Sequence, residues 1–322
     1  MNNKTLYSLL YKMLRIRMVE EKIAELYPQQ EIRCPTHFHL GEEAVSVGVC
    51  ANLKRDDYLF CSHRSHGPYI AKGGDLKSFV AELYGKRTGC SKGKGGSQHF
   101  MAPEIGFFGA SAIVGGTIPI AVGTALSSAM KNDGRISVAF FGDGGVEEGV
   151  FHESLNFAAL KKLPVLFVCE NNLYATHSHI SARQAIDNIY KRSEIYGIPG
   201  VRVDGNDVLA VFGASKQAVN SIRRGKGPRL IECRTYRWLE HVGPYYDFEL
   251  GYRTKEELDK WIKRCPIKLL KEYMLTRGII TEAKINRFVA QLNKEIDDAI
   301  RFAKESPFPD RSELAEDVYA LP

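Results

Sequence analysis

The sequence lacks the cysteine pattern of a disulfide-stabilised or zinc-binding protein. Its seven cysteines are an odd number and include no Cys-x-x-Cys pair, which argues against a disulfide framework and a structural zinc site. The first residues lead directly into an amphipathic helical pattern, without the apolar core of a secretory signal. The net charge is only +6, and no dense Lys/Arg stripe interleaved with aromatics indicates a nucleic-acid partner. We therefore expect a soluble, cytoplasmic protein.

One long uncharged segment could be mistaken for a membrane helix. Ala110 to Met130 contains 21 residues without a charge, which is long enough to cross a bilayer. It is rich in Gly, Ala, Ser and Thr, contains Pro119, and lacks the leucine and phenylalanine density of membrane spans. We predict a buried helix whose small residues allow another backbone or a ligand to approach closely, and we expect no membrane partner.

Short apolar runs alternate with helical patterns along most of the chain. This is the βαβ pattern of an α/β fold with a mostly parallel sheet flanked by helices. We expect one domain over residues 1–322, with a core at about 38–240 and a helical C-terminal extension at about 255–305. Residues 85–116 are rich in glycine and polar side chains, which predicts functional loops. Helices are predicted at 5–27, 41–52 and 75–84, and strands at 58–61, 136–141, 163–169, 201–203 and 229–234.

Polar side chains follow two of the predicted buried strands. Gly142-Asp143-Gly144 comes directly after one strand, and Glu170-Asn171-Asn172 follows the next. The carboxyl ends of parallel strands are where open α/β sheets bind ligands. One carboxylate and one amide suit Mg²⁺ that also takes oxygens from a diphosphate, while backbone N–H groups of Gly144 and Gly145 form an anion site. The alternative is structural: Asp143 caps the next helix, and the asparagines form a turn.

Two His-x-His pairs offer a second possible ligand site. His37 and His39 form one pair, and His177 and His179 the other. On a strand, alternation would place both members of a pair on one face, where they could bind a metal. Neither pair has a cysteine or carboxylate at zinc spacing, so polar residues lining a cleft or interface are the favoured interpretation.

The motifs together resemble a known family. Asp143 and Asn172 lie 29 positions apart, as in the thiamine diphosphate motif, and the resemblance extends from about Phe38 to Pro266. It is to the α subunits of two-chain 2-oxo acid and acetoin dehydrogenases (pyruvate dehydrogenase α-like), which are first components of lipoyl-dependent complexes. The other matching blocks follow in the expected order: Gly41-Glu42-Glu43-Ala44, Arg64-Ser65-His66-Gly67, Gly93-Lys94-Gly95-Gly96-Ser97, Ile113-Val114-Gly115 and Gly251-Tyr252-Arg253-Thr254.

The resemblance implies thiamine diphosphate and Mg²⁺ as cofactors and assigns residues to them. Asp143, the side-chain oxygen of Asn172 and the backbone carbonyl of Tyr174 would bind Mg²⁺. The remaining cofactor-binding residues would contact the diphosphate or the aminopyrimidine ring. These cofactor-binding residues are His63, Arg64, Ala112, Val114, Gly142, Gly144, Gly145 and His241. His63 stands where the family has a tyrosine, so its role is open.

Two histidines are implied in catalysis. His66 matches an active-site histidine near the thiazolium, and His241 matches a histidine implicated in acid–base work during acyl transfer to lipoamide. Imidazole titrates near neutral pH, which suits proton transfer. The segment Glu240 to Asp247 departs from the family pattern, and Val242 replaces a serine that is phosphorylated in some members. Substrate identity and lipoamide as acceptor therefore stay open.

The resemblance also implies partners. A β subunit would supply the glutamate that contacts the aminopyrimidine, in a heterotetramer of two α and two β chains, and a lipoyl acyltransferase would be a further partner. The expected activity is that of a 2-oxo acid or acetoin dehydrogenase component: decarboxylation of a 2-oxo acid or C–C cleavage of acetoin, with transfer of the acyl unit to lipoamide. Two alternatives remain: related carbanion chemistry on another carbonyl substrate without a lipoyl partner, and a non-catalytic scaffold.

Overall fold

The architecture is a parallel sheet between layers of helices, seen in a computed structural model that describes residues 1–317. The helices are α1 Asn3–Leu26, α2 Glu43–Cys50, α3 His66–Lys72, α4 Leu76–Leu83, α5 Thr117–Lys131, α6 Gly149–Leu160, α7 Ile180–Arg183, α8 Ile189–Arg192, α9 Val208–Arg223, α10 Lys255–Lys263, α11 Pro266–Thr276 and α12 Glu282–Glu305. The strands are β1 Tyr58–Cys61, β2 Phe107–Ala110, β3 Ser137–Gly142, β4 Val165–Asn171, β5 Tyr174–Ala175, β6 Ser178–His179, β7 Gly200–Asp204 and β8 Arg229–Arg234.

The main sheet has six strands in the order β2-β1-β3-β4-β8-β7. Every neighbouring pair is parallel, so all six carboxyl ends lie along one edge. In register, Cys61 pairs with Phe140 and Gly142 pairs with Glu170, which aligns the ends of β1, β3 and β4. Strands β5 and β6 form a separate antiparallel hairpin beyond β4. The predicted α/β class with a mostly parallel sheet is confirmed.

Both faces of the central strands are buried, which explains their continuous apolar runs. Along β3, Val138 and Phe140 join one apolar cluster with α1, α2 and α9. Ala139 and Phe141 point the other way, into a second cluster with α5 and α6. This alternation follows from the two-residue period of a strand, and the two clusters hold the sheet edge in a fixed position.

Helices of the C-terminal part pack on the N-terminal helices. Arg15 on α1 donates to Glu295 on α12 at 2.6 Å, and the rings of Tyr11 and Phe288 meet edge-to-face with centroids 5.2 Å apart. The predicted helical stretch 255–305 is confirmed as three helices, α10 to α12. Among residues 1–317, no helix combines the length and apolar character that a membrane crossing requires.

Two predictions about elements were wrong in detail, and one helix was missed. The uncharged segment 110–130 forms a helix only from Thr117, and this helix is buried on one face only, since Ile118 is buried whereas Ile120 and Met130 are 52% and 79% exposed. The predicted loop region 85–116 contains strand β2, which pairs with β1. Helix α3 was not predicted either, because its seven residues are too few for a periodic signal.

Candidate functional site

The carboxyl ends of β1, β3 and β4 open into a cavity of about 350 Å³. This size falls within the range of roughly 300–1,000 Å³ for small-molecule sites. Its wall comes from residues at and beyond the ends of these strands, from residues 37 and 42 ahead of β1, from residues 98, 112, 114 and 115 on either side of β2, and from residues 241–242 beyond β8. A cavity at this edge is where a parallel α/β sheet binds its ligands.

All the predicted site residues except His66 line this cavity. They are His63, Arg64, Ala112, Val114, Gly142, Asp143, Gly144, Gly145, Asn172, Tyr174 and His241. His66 begins helix α3 and is fully buried. Its Nδ1 lies 2.5 Å from the Glu20 carboxylate, and its Nε2 lies 2.7 Å from the Ser97 hydroxyl. The structure therefore places this ring behind the cavity wall, held at both nitrogens.

The loop after β3 carries the glycines and Asp143. Strand β3 ends at Gly142, and residues Asp143–Glu147 form a 3₁₀ turn before α6. Glu148, not Asp143, occupies the N-cap position of α6, so the helix-cap alternative for Asp143 is wrong. A Cβ atom at Gly144 would lie 2.9 Å from the Cβ of Ala175. Glycine at that position lets the turn pack closely against the β5–β6 hairpin.

The Asp143 carboxylate is buried and paired with Arg183 of α7. Burial raises the pKa of Asp143, and the Arg183 guanidinium partly offsets that effect. Arg183 also contacts Glu147, and the Gln184 amide donates to the Asp143 carbonyl oxygen at 3.3 Å. A buried carboxylate with a single cationic partner is well suited to a metal ion. Arg183 was not predicted, because no local pattern links α7 to β3.

Asn172 connects the end of β4 to the buried carboxylate of Glu42. Its Nδ2 donates to Glu42 Oε1 at 3.1 Å, and its Oδ1 accepts from the Tyr174 N–H at 3.3 Å. Glu42 Oε2 and Glu170 Oε1 are buried without a hydrogen-bond partner among the described residues, although Arg64 Nε lies 3.5 Å from Glu42 Oε2. Burial raises the pKa of both carboxyls, and mutual repulsion raises that of Glu170 further.

Glu42 and Glu170 are site residues that the sequence did not single out. Both line the cavity. Each lay within a quoted block, Gly41-Glu42-Glu43-Ala44 and Glu170-Asn171-Asn172, but nothing in the blocks showed that the two carboxyls converge. Their unpartnered oxygens leave room in the site for a hydrogen-bond donor on a ligand.

Three histidine rings form the opposite wall of the cavity. The ring centroids of His37, His63 and His241 lie 4.4 Å, 4.9 Å and 5.2 Å from one another. Burial lowers the pKa of all three, helped by the nearby positive charge of Arg64, to about 2 for His37, about 4 for His63 and about 3 for His241. The imidazoles are therefore neutral at physiological pH.

The two histidines of each His-x-His pair have different surroundings. Residues 37–39 are not in a strand, so the alternation expected of a strand does not apply. His37 faces the cavity, whereas His39 is buried, with Nε2 2.9 Å from the Ser46 hydroxyl. His177 packs its ring against Tyr252 at 4.6 Å, and the His179 side chain caps α7. Neither pair forms a metal site among residues 1–317.

The loop that carries His241 is fixed by buried charge. Asp247 is buried and ion-pairs with both Arg237 and Arg253, which are buried as well. Arg253 also donates to the Leu239 carbonyl oxygen at 2.8 Å. The backbone carbonyl of His241 accepts from His37 Nδ1 at 2.8 Å and from Arg64 at 3.3 Å. These contacts fix the backbone of His241 at the cavity wall.

Comparison with known proteins agrees with this geometry. The family model described as "Dehydrogenase E1 component" matches residues 11–312. The chain belongs to the dehydrogenase E1 component family. The predicted resemblance is confirmed, and with it an oxidoreductase α subunit of the 2-oxo acid and acetoin dehydrogenase type. Membership implies thiamine diphosphate as the cofactor.

Curated relatives match along almost the whole chain. The α subunit of acetoin:2,6-dichlorophenolindophenol oxidoreductase from Bacillus subtilis is 43% identical over 310 residues, covering 96% of this chain and 91% of the relative. The testis-specific mitochondrial pyruvate dehydrogenase E1 component subunit alpha of Homo sapiens is 40% identical, with 96% and 78% covered. The pyruvate dehydrogenase E1 component subunit alpha of Rhizobium meliloti is 38% identical, with 95% and 88% covered.

Proposed function

We propose that this E1 α chain binds the Mg²⁺–diphosphate part of thiamine diphosphate in the cavity and acts with a β subunit on a 2-oxo acid or acetoin. The observation that carries the proposal is the convergence of Asp143, Asn172 and Tyr174 with Arg64 on one cavity at the sheet edge. When bound, thiamine diphosphate supplies an electron sink for carbanion chemistry at a carbonyl carbon.

The residues present fit a metal-bound diphosphate. Asp143 offers a buried carboxylate, Asn172 an amide oxygen and Tyr174 a backbone carbonyl, and oxygen ligands of this kind suit Mg²⁺. Three protein oxygens leave positions for phosphate oxygens and water. Gly144 and Gly145 bring backbone N–H groups to the cavity, which the positively charged Arg64 also lines.

His241 is proposed to move a proton at the cavity. Its imidazole is neutral, since burial lowers its pKa to about 3, so a ring nitrogen carries a lone pair that can accept a hydrogen bond from a reacting group and hold its proton only transiently. The hydrogen bonds to its backbone carbonyl fix the position of its main chain. His66 contacts Glu20 and Ser97, and the Ser97 hydroxyl accepts a hydrogen bond from the His37 backbone N–H. The proposed role of His66 is therefore to position the part of the cavity wall that carries His37.

A β subunit is proposed to complete the site. Ile113 and Val114 stand beside the cavity with 72% and 44% of their surface exposed, although large apolar side chains are usually covered. A partner chain that covers them would also exclude water from the cavity. It would bring the glutamate that the resemblance assigns to the β subunit. We also propose a lipoyl acyltransferase as the acceptor component.

The rim of the cavity motivates a second candidate. Val242, Tyr245 and Tyr246 are exposed and replace the pattern that the family has after its histidine. These side chains favour a branch that performs the same carbanion chemistry on another carbonyl compound without a lipoyl partner. Turnover of pyruvate or acetoin that depends on a lipoyl domain would exclude this candidate.

The test is cofactor binding by the assembled enzyme. The chain would be co-expressed with its β subunit, and thiamine diphosphate with Mg²⁺ would be titrated by calorimetry. Asp143→Asn should abolish Mg²⁺-dependent binding while assembly is retained. Asp259→Asn is the matched control, because within residues 1–317 Asp259 pairs only with Lys255, on the exposed face of α10.

Turnover then separates the candidates. 2-Oxo acids and acetoin would be screened with an artificial electron acceptor, followed by a lipoyl domain. Binding with turnover supports the proposal, and binding without turnover of these compounds favours the second candidate. Unchanged cofactor binding by Asp143→Asn would refute the assignment of the metal ligands, and no binding by the unmodified enzyme would leave a scaffold.

A further inference from the structure

The three-histidine wall has the composition of a transition-metal site. One ring nitrogen each of His37, His63 and His241 can be chosen so that all three lie within 4.8 Å of one another. Three nitrogens bound to one tetrahedral Zn²⁺, at about 2.0–2.1 Å from the metal, would be roughly 3.4 Å apart. Small rotations of rings that border an open cavity would close this difference.

The protein prepares one of these rings for metal binding. His37 Nδ1 lies 2.8 Å from the His241 backbone carbonyl, and a carbonyl oxygen only accepts, so the proton is on Nδ1. Nε2 therefore carries a lone pair, to which the Gln98 amide donates at 2.7 Å. A backbone carbonyl that fixes the tautomer in this way is the usual outer-shell partner of a histidine ligand. The half-buried Gln98 side chain would move aside.

The other two rings are free to turn toward the same point. Neither His63 nor His241 has a ring hydrogen bond among the described residues, and both border the cavity. The rings are neutral, which is the form that binds metals. The positive charge of Arg64 disfavours a metal cation nearby. The Glu42 carboxyl, with Oε2 3.5 Å from Arg64 Nε, offsets that charge.

We propose that His37, His63 and His241 form a binding site for a divalent transition-metal ion of the zinc type, with water from the cavity as the fourth ligand. Three imidazoles with an open fourth position are a known zinc arrangement. His63 completes the set of three ligands, and it stands where the resemblance implies a tyrosine. This site is distinct from Asp143 and Asn172 and does not depend on the proposed function.

One consequence does rest on the proposed function. The histidines line the same cavity as Asp143 and Arg64, so a metal ion on the imidazoles occupies space that the diphosphate needs. Zinc bound there should compete with loading of thiamine diphosphate and Mg²⁺. The ion would thereby inhibit cofactor loading of the cofactor-free enzyme.

The test uses the full chain assembled with its β subunit and freed of cofactor. Co²⁺ would be titrated in the visible region, where tetrahedral coordination gives intense absorption, and Zn²⁺ would be titrated by displacement. We expect one equivalent per α chain. His63→Tyr should weaken Zn²⁺ affinity at least 100-fold, since even loss of an outer-shell partner costs about 10–100-fold. His99→Tyr, at an exposed histidine beyond the cluster, should bind as before.

Two further variants keep the outcomes separate. His37→Gln should lose the metal as His63→Tyr does, and urea unfolding would verify that both variants are folded. Asp143→Asn should keep Zn²⁺ while losing thiamine diphosphate with Mg²⁺, so failure of one proposal is distinguishable from failure of the other. Absence of stoichiometric Co²⁺ binding, or full binding by His63→Tyr, would overturn the three-histidine site.

Discussion

Lowering the pH from 7.5 to 5.5 should destabilise the cofactor-free chain through four neutral histidines. His37, His39, His63 and His241 all have a lowered pKa, first because they are buried and then because of Arg64, at about 2, 3, 4 and 3 respectively. In the unfolded chain each returns to about 6.5. The unfolded state therefore binds more protons, and stability falls as the pH drops below about 6.5 toward the folded pKa values.

The magnitude follows from these values. At pH 5.5 an unfolded histidine is about nine-tenths protonated, whereas its folded counterpart is neutral, which costs about 1.3 kcal/mol per residue relative to pH 7.5. Four residues give about 5 kcal/mol. The pair of Glu42 and Glu170 acts in the opposite direction, because their pKa values are raised in the folded state. One proton held on that pair offsets at most about 1.4 kcal/mol per pH unit, which is about 2.8 kcal/mol over the two pH units. The net loss of stability is therefore roughly 2–3 kcal/mol.

The assay is reversible urea unfolding at the two pH values. The expected loss is a large part of the ~5–15 kcal/mol by which a typical domain is stable. His63→Tyr removes one of the four groups, so its loss of stability between the two pH values should be about 1.3 kcal/mol smaller than that of the unmodified chain. His99→Tyr should leave it unchanged. Equal stability at pH 7.5 and 5.5, or an equal loss in His63→Tyr, would refute the reasoning.

Two further predictions concern the support of the site. Gly41→Ala should lower the free energy of unfolding by about 3 kcal/mol or more, seen as a lower urea midpoint, because Gly41 has a φ of +94° and an added Cβ would lie 2.5 Å from the Tyr236 carbonyl oxygen. Asp247→Ala should cost about 3–5 kcal/mol because it leaves two buried guanidiniums, Arg237 and Arg253, without their carboxylate. It should also speed amide exchange in 239–253, whereas unchanged exchange there would show that the loop is held by other contacts.

The sequence predicted the elements whose signal is local. Strands β3, β4 and β8 are apolar because both faces of the sheet are covered, so their runs were visible without a structure. Strand β2 was missed because Phe107–Ala110 is four residues long and contains Gly109, inside a glycine-rich region. Helix α5 was predicted as buried from its lack of charge, but an uncharged face can equally stay open for a partner.

The residues of the site divide in the same way, into those with a local sequence signal and those without one. Asp143 and Asn172 stand directly after strands, so parallel pairing alone was enough to bring them to one edge. Arg183 contacts Asp143 from α7, and Glu42 lines the cavity from the N-cap position of α2. No spacing in the sequence relates them to Asp143 or Asn172. Such contacts depend on how loops cross the sheet edge, which only the tertiary structure specifies.

The three histidines illustrate why pairs in a sequence are a poor guide to a ligand set. His37 and His39 are neighbours in the chain but have different surroundings, because residues 37–39 pass between the cavity and the core. His37 instead meets His63 from the loop after β1 and His241 from the segment after β8. The hydrogen bond from His37 to the His241 backbone at 2.8 Å links two of these segments directly. A change at His63 therefore alters the ligand set while the hydrogen bond between the His37 ring and the His241 backbone is kept, which makes His63→Tyr the variant that separates the metal site from the structure around it.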